Sequence, residues 1–227
     1  MSHIEFVVRA HKALFTTLDS HLGGEKHTSC YPTYAALKGL VESIYWKPTI
    51  TWHIEKVRVM RRIQTFNENI KARRINEDSV YLPTYTYLQD VEYQVGASFS
   101  FNKHQKNMER DRDFFKHLSI AQKSVERGGR RDTFLGTREC QGYVEPAVFG
   151  SGEGAFDNTG ELSLPRQYHS ILYPSEVGGK LWRKALFDPK MVNGVIEFPK
   201  PMDCPVIIDL FERPMKLFPD IKHRDEV

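Results

Sequence analysis

The alternation of apolar and polar residues predicts three strands in the first hundred or so residues of the chain. Apolar side chains alternate over residues 4–10, again over a long stretch from Ile50, and most regularly over residues 91–101. A period of two is typical of strands with one buried face. In the stretch that starts at Ile50, the apolar positions change from even to odd numbers, which predicts a β-bulge between Ile54 and Val57.

Two segments show the period of about 3.6 residues that amphipathic helices have. The first, residues 32–48, begins with Pro32, which suits a first helical turn, and is stopped by Pro48. The second, residues 107–127, is followed by Gly128, a residue type that commonly ends helices. The apolar faces consist of Leu37, Leu40, Val41 and Ile44 in the first predicted helix and of Phe114, Leu118, Ala121 and Val125 in the second.

A further strand predicted at residues 137–144 completes the order β-α-β-β-α-β. This is the ferredoxin-like order, which RNA-recognition modules also use. After residue 150 the chain is rich in proline and has only short apolar runs. The sequence therefore predicts an α+β fold, with a ferredoxin-like domain at residues 1–150 and a smaller β-rich C-terminal subdomain at residues 151–227.

Residues 61–89 are too polar for a core and too long for an ordinary hairpin turn, so they are predicted to form a loop. Basic residues in its first part give way to Tyr81, Tyr85 and Tyr87. Cations that follow a phosphate backbone and rings that stack on bases suit single-stranded nucleic acid. An ordinary exposed loop is the alternative interpretation.

The net charge of +3 does not single out nucleic acid as a partner, but the charge is unevenly distributed. Residues 55–75 contain seven Lys or Arg against two acids, and residues 101–138 contain ten against five. These two stretches predict a basic side of the molecule, which suits a polyanionic ligand. Two ordinary solvated faces are the alternative.

The spacing of cysteine, histidine and carboxylate residues argues against a disulfide framework or a metal site. Cys30, Cys140 and Cys204 are far apart and form no C-x-x-C pair, and the nine histidines show no H-x-x-x-H spacing. Neither a signal peptide nor a run of about 18 apolar residues is recognisable. We therefore expect a cytoplasmic protein without a bound metal, a cofactor or a membrane segment.

The segment ERGGRRDTFLGTRECQG, residues 126–142, combines adaptable backbone with positive charge. Glycine adopts positive φ and lets a ligand approach the main chain, and arginine presents a planar fork of donors that fits phosphate. Helix termination is an alternative role for the first two glycines. The residues predicted to hold phosphates here are Arg127, Arg130, Arg131 and Arg138, together with Gly128, Gly129 and Gly136.

Three residues with suitable chemistry can meet if both helices pack on one face of the sheet. Tyr45 closes the first predicted helix, and Lys116 and His117 are adjacent in the second. Imidazole exchanges protons near neutral pH, ammonium stabilises a developing negative charge, and a phenol orients a nucleophile or, with a lowered pKa, deprotonates it. Together they would cleave RNA without a metal, by attack of a 2′-hydroxyl on the adjacent phosphate. Each has an ordinary structural alternative: a half-buried tyrosine, a solvated lysine and a boundary histidine.

Several motifs resemble the CRISPR-associated RAMP-superfamily protein of type I-C systems, the Dvulg subtype. They are GGEK (23–26), PTYAALKGLVESIYWKP (32–48), the Lys116–His117 pair and ERGGRRDTFLGTRECQGYVEP (126–146). The resemblance runs nearly the length of the chain and is looser after Gly150. It implies a ferredoxin-like N-terminal domain with a β-rich C-terminal extension.

The resemblance also implies an activity. Members of this family process precursor CRISPR RNA by metal-independent cleavage at the base of the repeat hairpin. They then keep the 5′ handle of the mature guide RNA within the interference complex, which also contains backbone and large subunits. The family's catalytic tyrosine, lysine and histidine correspond to Tyr45, Lys116 and His117. The residues expected to bind the RNA are Lys26, Lys47, Arg73 and Arg74, together with the arginines and glycines of residues 127–138.

Two other interpretations stay open from the sequence. Relatives in other CRISPR subtypes only cap the 5′ end of the guide and leave cleavage to a different protein, so a binding subunit without catalysis is the main alternative. A ferredoxin-like metabolic enzyme would need a small-molecule pocket motif, and none is recognisable. The intact set of Tyr45, Lys116 and His117 favours the endoribonuclease.

Overall fold

The computed structural model describes residues 3–16, 25–73 and 80–212. Strands predominate over helices in this part of the chain, which is a mixed α and β structure. No helix among the described residues is both long and apolar enough to cross a membrane. In chain order the elements are β1 (His3–Ala13), β2 (Lys26–His27), α1 (Tyr34–Ile44), β3 (Ile50–Val59), β4 (Thr65–Asn69), β5 (Ala72–Arg73), β6 (Val80–Tyr81), β7 (Thr84–Phe101), a 3₁₀ helix (Lys106–Asp111), α2 (Phe114–Glu126), β8 (Thr133–Phe134), β9 (Gln141–Pro146), β10 (Glu161–Ser163), β11 (Gln167–Leu172), α3 (Pro174–Val177), β12 (Leu181–Phe187), β13 (Lys190–Val192), β14 (Val195–Glu197), a second 3₁₀ helix (Pro201–Asp203) and β15 (Val206–Glu212).

Four antiparallel strands form the centre of the main sheet, in the order β3-β7-β1-β9. Apolar side chains pair across these strands: Phe6 lies opposite Val95, and Val8 lies opposite Val144. Helices α1 and α2 pack against the sheet, and the hydrophobic core lies between them and its strands. Along the chain these elements follow one another as β1, α1, β3, β7, α2 and β9.

The β-bulge predicted between Ile54 and Val57 is present. Between Ile54 and Lys56 the pairing of β3 with β7 slips by one residue, so Glu55 is the extra residue. Because the slip reverses the side-chain alternation, Ile54 and Val57 both remain buried in the core.

Helix α1 begins later than predicted. The Thr33 hydroxyl accepts a hydrogen bond from the Ala36 N–H (3.1 Å) and caps the helix, so Pro32 precedes the cap instead of occupying the first turn. The helix ends at Ile44, before Pro48 is reached. The apolar face predicted for this helix is buried, as expected.

The predicted start of the second helix at residue 107 is wrong. Residues Lys106–Asp111 form a 3₁₀ helix, and α2 starts at Phe114. The preceding Asp113 is not helical, and its carboxylate accepts a hydrogen bond from the Lys116 N–H (3.1 Å). A side-chain acceptor at this position satisfies an otherwise unpaired N–H of the first turn, which favours a helix start here over a continuous helix.

Gly128 ends α2, as predicted. Its φ is 77°, and its N–H donates to the Val125 carbonyl (2.9 Å), while the Gly129 N–H donates to the Ser124 carbonyl (2.8 Å). These two bonds form a Schellman motif, which satisfies carbonyls at the end of the helix. The positive φ of Gly128 therefore has a structural cause.

The prediction that residues 61–89 form a loop is wrong. β4 pairs with the first part of β7, so that Thr65 lies opposite Leu88, and β5 and β6 form a further two-stranded ribbon. β7 consequently starts at Thr84 instead of at residue 91. The Thr-Tyr alternation at the start of β7 was the available signal, because both residue types favour strands.

The three tyrosines of that segment have different surroundings. Tyr87 is fully buried and packs on Phe66, with ring centroids 5.6 Å apart. Tyr85 is half-buried, and the Lys26 Nζ lies 5.2 Å from its ring centroid. Tyr81 is exposed. Of the rings predicted to stack on bases, Tyr87 is therefore closed to that contact.

The strand predicted at residues 137–144 is shifted towards the C-terminus. β9 begins only at Gln141, and it is joined to β8 by a tight turn in which the Leu135 N–H donates to the Cys140 carbonyl (2.8 Å). This turn contains Gly136 with a φ of 96°, a conformation that strand residues do not adopt.

Between residue 150 and Glu212 the described chain is rich in strands. β10, β13 and β14 continue the main sheet, because β14 pairs with β3 (Ile196 opposite Val57). β11, β12 and β15 form a separate sheet, and His169 of β11 stacks on Tyr34 of α1 with ring centroids 3.8 Å apart. Strands from both sides of residue 150 thus share one sheet, and the division of the chain at that residue stays a prediction.

Candidate active site

Backbone contacts hold Tyr45 at the end of α1. Its N–H donates to the Val41 carbonyl (2.9 Å), and its carbonyl accepts a hydrogen bond from the indole N–H of Trp52 in β3 (2.7 Å). The backbone at Tyr45 is extended (φ −157°), so the phenol departs from the helical path. The position of this ring is therefore set jointly by α1 and β3.

The first turns of α2 present Lys116 and His117 to different environments. Successive helical residues point about 100° apart, so adjacent side chains leave the helix in different directions. The His117 ring is fully buried against Phe99 and Phe101, whose ring centroids lie 6.3 and 6.2 Å away. The Lys116 side chain is half exposed (50%). One residue thus faces the core and its neighbour faces solvent.

Tyr45 and His117, which lie far apart in the sequence, meet directly. The Tyr45 hydroxyl oxygen lies 2.7 Å from His117 Nδ1, and the other ring nitrogen, Nε2, lies 2.7 Å from the backbone carbonyl oxygen of Asp111. A carbonyl oxygen only accepts hydrogen bonds, so Nε2 carries the hydrogen of the neutral imidazole. Nδ1 is then the acceptor, and the Tyr45 hydroxyl donates to it.

Asp111 joins this pair to Lys116. Its Oδ1 accepts a hydrogen bond from Lys116 Nζ (2.5 Å), and its Oδ2 accepts one from the Thr49 hydroxyl (2.6 Å). Oδ2 also lies 3.5 Å from His117 Nε2. The Asp111 side chain is only 14% exposed, so these contacts lie at the edge of the core.

The protonation states of Tyr45 and Asp111 follow from their surroundings. Burial raises the pKa of Tyr45 to about 12, an effect that the charge of Asp111 reinforces and the charge of Arg130 opposes. The phenol is therefore protonated at neutral pH, which fits a role in orienting a nucleophile and not a role as a free phenolate base. Burial also tends to raise the pKa of Asp111, but hydrogen bonds from Lys116 and Thr49 outweigh burial and lower this pKa below its ordinary value. The Asp111 carboxylate is therefore ionised at neutral pH.

The Tyr45–His117 pair is closed off from solvent. Tyr45 is 1% exposed and His117 is 0% exposed. The guanidinium of Arg130 lies over the Tyr45 ring, 5.7 Å from its centroid. Lys116 presents an accessible charged group, whereas contact between a substrate and either ring requires displacement of the groups that cover them.

The segment of residues 126–142 borders the Tyr45 end of the pair. The Arg130 N–H donates to the Ile44 carbonyl (3.2 Å), which attaches this segment to the end of α1. Exposed guanidinium groups on such a segment suit a phosphate backbone. The exposed arginines are Arg127, Arg130, Arg131 and Arg138.

The glycines of the same segment are required by the geometry of the chain. Gly128, Gly129 and Gly136 all have positive φ. A Cβ at Gly136 would lie 1.8 Å from the Leu14 carbonyl oxygen, so the turn packs against the chain after β1 only because this residue is glycine. Close approach of an RNA backbone to these glycines stays a prediction, since packing by itself accounts for them.

A family model described as CRISPR-associated protein (Cas_Cas5) matches residues 3–199, which is most of the chain. This chain belongs to the CRISPR-associated Cas5 family. The matching model is that of Cas5d, in agreement with the type I-C resemblance of the sequence motifs.

Two solved structures and one curated protein are similar to this Cas5 chain. A crystal structure of a CRISPR-associated protein has a TM-score of 0.76 and 31% identity, and the match covers 91% of this chain and 96% of the other. The structure of a functionally uncharacterized protein from Streptococcus mutans has a TM-score of 0.75 and 30% identity over the same shares of the two chains. The CRISPR pre-crRNA endoribonuclease Cas5d of Thermus thermophilus is 29% identical over 124 residues, 51% of this chain. The match spans about half (52%) of the length of that curated relative.

The other basic residues predicted to bind RNA are dispersed over this Cas5 fold. Lys26, on β2, and Lys47, after α1, are half-buried, and Arg73 is exposed on β5. Arg74 lies outside the described residues. The structure therefore brings together Tyr45 and the Lys116–His117 pair, but it distributes the predicted RNA-binding residues over several elements.

Arg58 does not contribute to a basic surface, although it belongs to the basic stretch at residues 55–75. Its side chain is 7% exposed, and its guanidinium contacts both carboxylate oxygens of Asp157 (2.6 and 2.7 Å). It also donates to the carbonyls of Ser151 and Gly152 (3.1 and 3.0 Å). This charge fastens the turn after residue 150 to β3 and is not available to a ligand.

The sequence analysis missed Asp111, although it lies close to Lys116 in the chain. In one continuous helix, residues five apart point about 140° away from each other, so the prediction of a helix from residue 107 separates the two side chains. The break between the 3₁₀ helix and α2 returns the carboxylate to Lys116. Among the described residues, no three His, Cys, Asp or Glu side chains are grouped so as to hold a metal ion.

Proposed function

We propose that this member of the Cas5 family is a metal-independent endoribonuclease that cleaves precursor CRISPR RNA at the base of the repeat hairpin. The observation that carries the proposal is the 2.7 Å hydrogen bond between the Tyr45 hydroxyl and His117 Nδ1, with the Lys116 ammonium bound to the same aspartate as His117. A proton acceptor, an orienting hydroxyl and a cation are thus combined. The similar Thermus thermophilus protein is named a pre-crRNA endoribonuclease, which supports the same substrate class.

In the proposed reaction, a ribose 2′-oxygen attacks the adjacent phosphorus, and the bond from this phosphorus to the 5′-oxygen breaks. The 2′-hydroxyl proton passes through the Tyr45 hydroxyl to His117 Nδ1, so the phenol never has to exist as a free phenolate. Lys116 stabilises the additional negative charge on the phosphorane. The proton held by His117 is returned to the departing 5′-oxygen. The products are a 2′,3′-cyclic phosphate and a 5′-hydroxyl.

After cleavage, the protein in this proposal keeps the 5′ handle of the mature guide RNA and joins the backbone and large subunits of the interference complex. The exposed arginines after α2 support a role in holding the RNA, because guanidinium groups fit phosphate oxygens. The strand order β3-β7-β1-β9, with α1 and α2 packed against the sheet, supports a ferredoxin-like core. Modules that recognise RNA also use this core.

Incubation of the purified protein with its own repeat RNA in EDTA tests the proposal. We expect cleavage to continue in EDTA and the fragments to end in a 2′,3′-cyclic phosphate and a 5′-hydroxyl, because the nucleophile is the RNA's own 2′-hydroxyl. Mass spectrometry of the fragments identifies these ends. A strict requirement for Mg²⁺ or a 5′-phosphate product would contradict the mechanism.

A second function, binding of the guide's 5′ handle without catalysis, is favoured by one observation. Tyr45 and His117 are both buried, so the site as described is closed. A binding subunit needs only the exposed basic residues, whereas the endoribonuclease needs the RNA to displace the groups that cover these two rings. Tight binding of the repeat RNA with no cleavage at any pH between about 5 and 9, a range that spans the ordinary titration of histidine, would assign this second function.

A further inference from the structure

Asp111 contacts the side chains of both Lys116 and His117. We propose that it is a positioning residue for the cleavage reaction, holding the Lys116 ammonium in place and stabilising the positive charge that His117 gains with a proton. This inference rests on the proposed function, because it concerns the same site and the same reaction.

The backbone carbonyl and the side-chain carboxylate of Asp111 make different contacts. Its backbone carbonyl accepts the His117 Nε2–H (2.7 Å) and thereby leaves Nδ1 free to accept from Tyr45. Its carboxylate binds Lys116 Nζ through Oδ1 and the Thr49 hydroxyl through Oδ2. Because Thr49 is fully buried between α1 and β3, the carboxylate is anchored to the core on one side and holds the half-exposed lysine on the other.

The charge of Asp111 is placed to act on His117. Its Oδ2 lies 3.5 Å from Nε2, in a setting where the Asp111 side chain is 14% exposed and the histidine is fully buried. The Tyr45 hydroxyl contacts Nδ1, and the charged groups on the neighbouring elements are the Lys116 ammonium on the same helix, Arg130 over the Tyr45 ring and the Asp113 carboxylate, which caps the helix at the Lys116 N–H. Of these groups, the Asp111 carboxylate is the one that lies 3.5 Å from a ring nitrogen, so we infer that it supplies the negative charge that favours an imidazolium.

The reaction creates such an imidazolium. When the 2′-hydroxyl proton passes through Tyr45 to Nδ1, both ring nitrogens of His117 carry hydrogen, and Nε2–H still points at the Asp111 carbonyl. A buried carboxylate next to a catalytic histidine orients the neutral ring and stabilises its charged form in serine proteases. Here the orientation comes from a backbone carbonyl and the charge from a side chain. Asp111→Asn therefore removes the charge and leaves the orienting carbonyl in place.

Single-turnover cleavage of the repeat RNA by Asp111→Asn, measured over about pH 5–9 beside equilibrium binding, tests the inference. We expect the maximal rate to fall on the order of 10-fold to 100-fold, the scale found for groups that orient a functional residue without touching the substrate. The rise of the rate with pH should also move to lower pH, because an imidazole without the neighbouring carboxylate binds a proton less tightly. Asp111→Glu, which keeps the charge, should restore most of the rate and the wild-type position of that rise.

Glu109→Gln is the matched control for the change in net charge. Glu109 lies in the same 3₁₀ helix, is 70% exposed and pairs with Arg112 (3.3 Å) instead of with the site. Both variants lose one negative charge from the same 3₁₀ helix, so their affinities for RNA should change alike. Only Asp111→Asn should change the rate and its pH dependence.

A readout independent of cleavage is the titration of the His117 ring, followed by nitrogen-15 NMR with His117→Gln used to assign its signal. The midpoint should lie at lower pH in Asp111→Asn than in the wild type and should not move in Glu109→Gln. An unchanged midpoint would overturn the electrostatic part of the inference, whatever happens to cleavage.

The possible outcomes separate this inference from the proposed function. A wild type that binds the RNA but never cuts it overturns the proposed function, and the inference falls with it. A wild type that cuts, with Asp111→Asn equal to Glu109→Gln in rate and pH profile, overturns the inference alone. A rate reduced by the same factor at every pH overturns the stabilisation of His117 and supports only the positioning of Lys116.

Should Asp111→Asn fail to fold, Thr49→Val tests the anchoring of the same carboxylate. It removes the hydroxyl that fixes Oδ2, so we expect a several-fold slower cleavage with unchanged affinity for RNA. Thr49→Ser keeps a hydroxyl and is the control. Equal rates for Thr49→Val and Thr49→Ser would overturn the inference.

Discussion

At the scale of single residues, burial decides which chemistry Tyr45 offers. A tyrosine with a pKa raised to about 12 keeps its proton at neutral pH, so its hydroxyl donates to His117 and retains lone pairs that can accept from a ribose hydroxyl. The sequence left two roles open for this phenol, and its burial favours the orienting one. The roles of its two partners in catalysis remain proposals.

Removal of individual groups from the site should separate cleavage from binding. His117→Ala and Lys116→Ala should each slow single-turnover cleavage by on the order of 10²-fold or more, a typical scale for an acid–base group or a donor to developing charge. Tyr45→Phe should also slow cleavage, because it deletes the hydroxyl and keeps the buried ring. Affinity for the RNA hairpin, measured at equilibrium, should fall much less.

Two controls accompany these variants. Tyr143→Phe makes the same chemical change on β9, where the ring is 64% exposed, and should leave the cleavage rate near that of the wild type. A 2′-deoxy substitution at the attacking nucleotide should stop cleavage by the wild type and leave binding intact. Normal cleavage by all three site variants would mean that this cluster is structural.

At the scale of elements, packing alone explains why residue 136, in the turn between β8 and β9, is glycine. The sequence pattern had suggested a phosphate-binding role for the same residue. The arginines and glycines of residues 126–142 were interpreted together as a phosphate-binding backbone. In the structure, Gly128 and Gly129 close α2 in a Schellman motif, and Gly136 lets a turn pass the Leu14 carbonyl. The arginines remain exposed, so the charge and the adaptable backbone have separate explanations.

Gly136→Ala should destabilise the protein strongly. The new Cβ would lie 1.8 Å from a backbone oxygen, and φ would stay at 96°, so we expect the free energy of unfolding to fall by about 3 kcal/mol or more. Gly39→Ala in α1 is the matched control, because nothing lies within 4 Å of its Cβ position; it should stabilise by roughly 0.5–1 kcal/mol. Denaturant unfolding measures both. A Gly136→Ala protein of normal stability but weaker RNA binding would support the phosphate-binding interpretation instead.

At the scale of the whole molecule, the positive charges of the two basic stretches fall into two groups. One group is internal, as with the buried Arg58 side chain, which pairs with the half-buried Asp157. The other is exposed, as on the segment after α2 that borders the Tyr45 end of the site. A net charge of only +3 therefore gives little general attraction for RNA, and binding should depend on local contacts.

Arg131→Gln and Arg138→Gln should each weaken RNA binding and reduce its salt dependence. Loss of one phosphate contact to single-stranded RNA lowers the slope of log affinity against log salt concentration by about 0.7. Lys190→Gln is the control, because Lys190 lies on β13 and already pairs with Glu161 (2.8 Å). Affinity titrations at several salt concentrations measure the slopes. Unchanged affinity and slope in both arginine variants would place the RNA path elsewhere.

Elements with a strong and regular pattern were predictable from the sequence, and irregular ones were not. The strand around Val95, the bulge after Ile54 and the Gly128 helix end were all predicted, because periodicity and glycine geometry are local properties. The start of α2 depended on a competition between a capping carboxylate and helix continuation. Strand β4 depended on the pairing of a polar segment with the first part of β7, where the Thr-Tyr alternation was the available local signal.

The candidate site also has features that the sequence determines and features that only the structure shows. The sequence by itself determined which groups are present: a phenol at the end of one helix, a lysine and a histidine side by side in another, and arginines after it. Only the tertiary structure decided that Tyr45 meets His117, that the imidazole presents Nδ1 to the phenol, and that Asp111 binds Lys116. Hydrogen-bond partners and pKa values depend on distance and burial. Tyr45 meets His117 only when segments far apart in the chain pack against each other, and Asp111 reaches Lys116 only because the chain breaks between the 3₁₀ helix and α2. Residue types and spacing could therefore name the chemistry but not its arrangement.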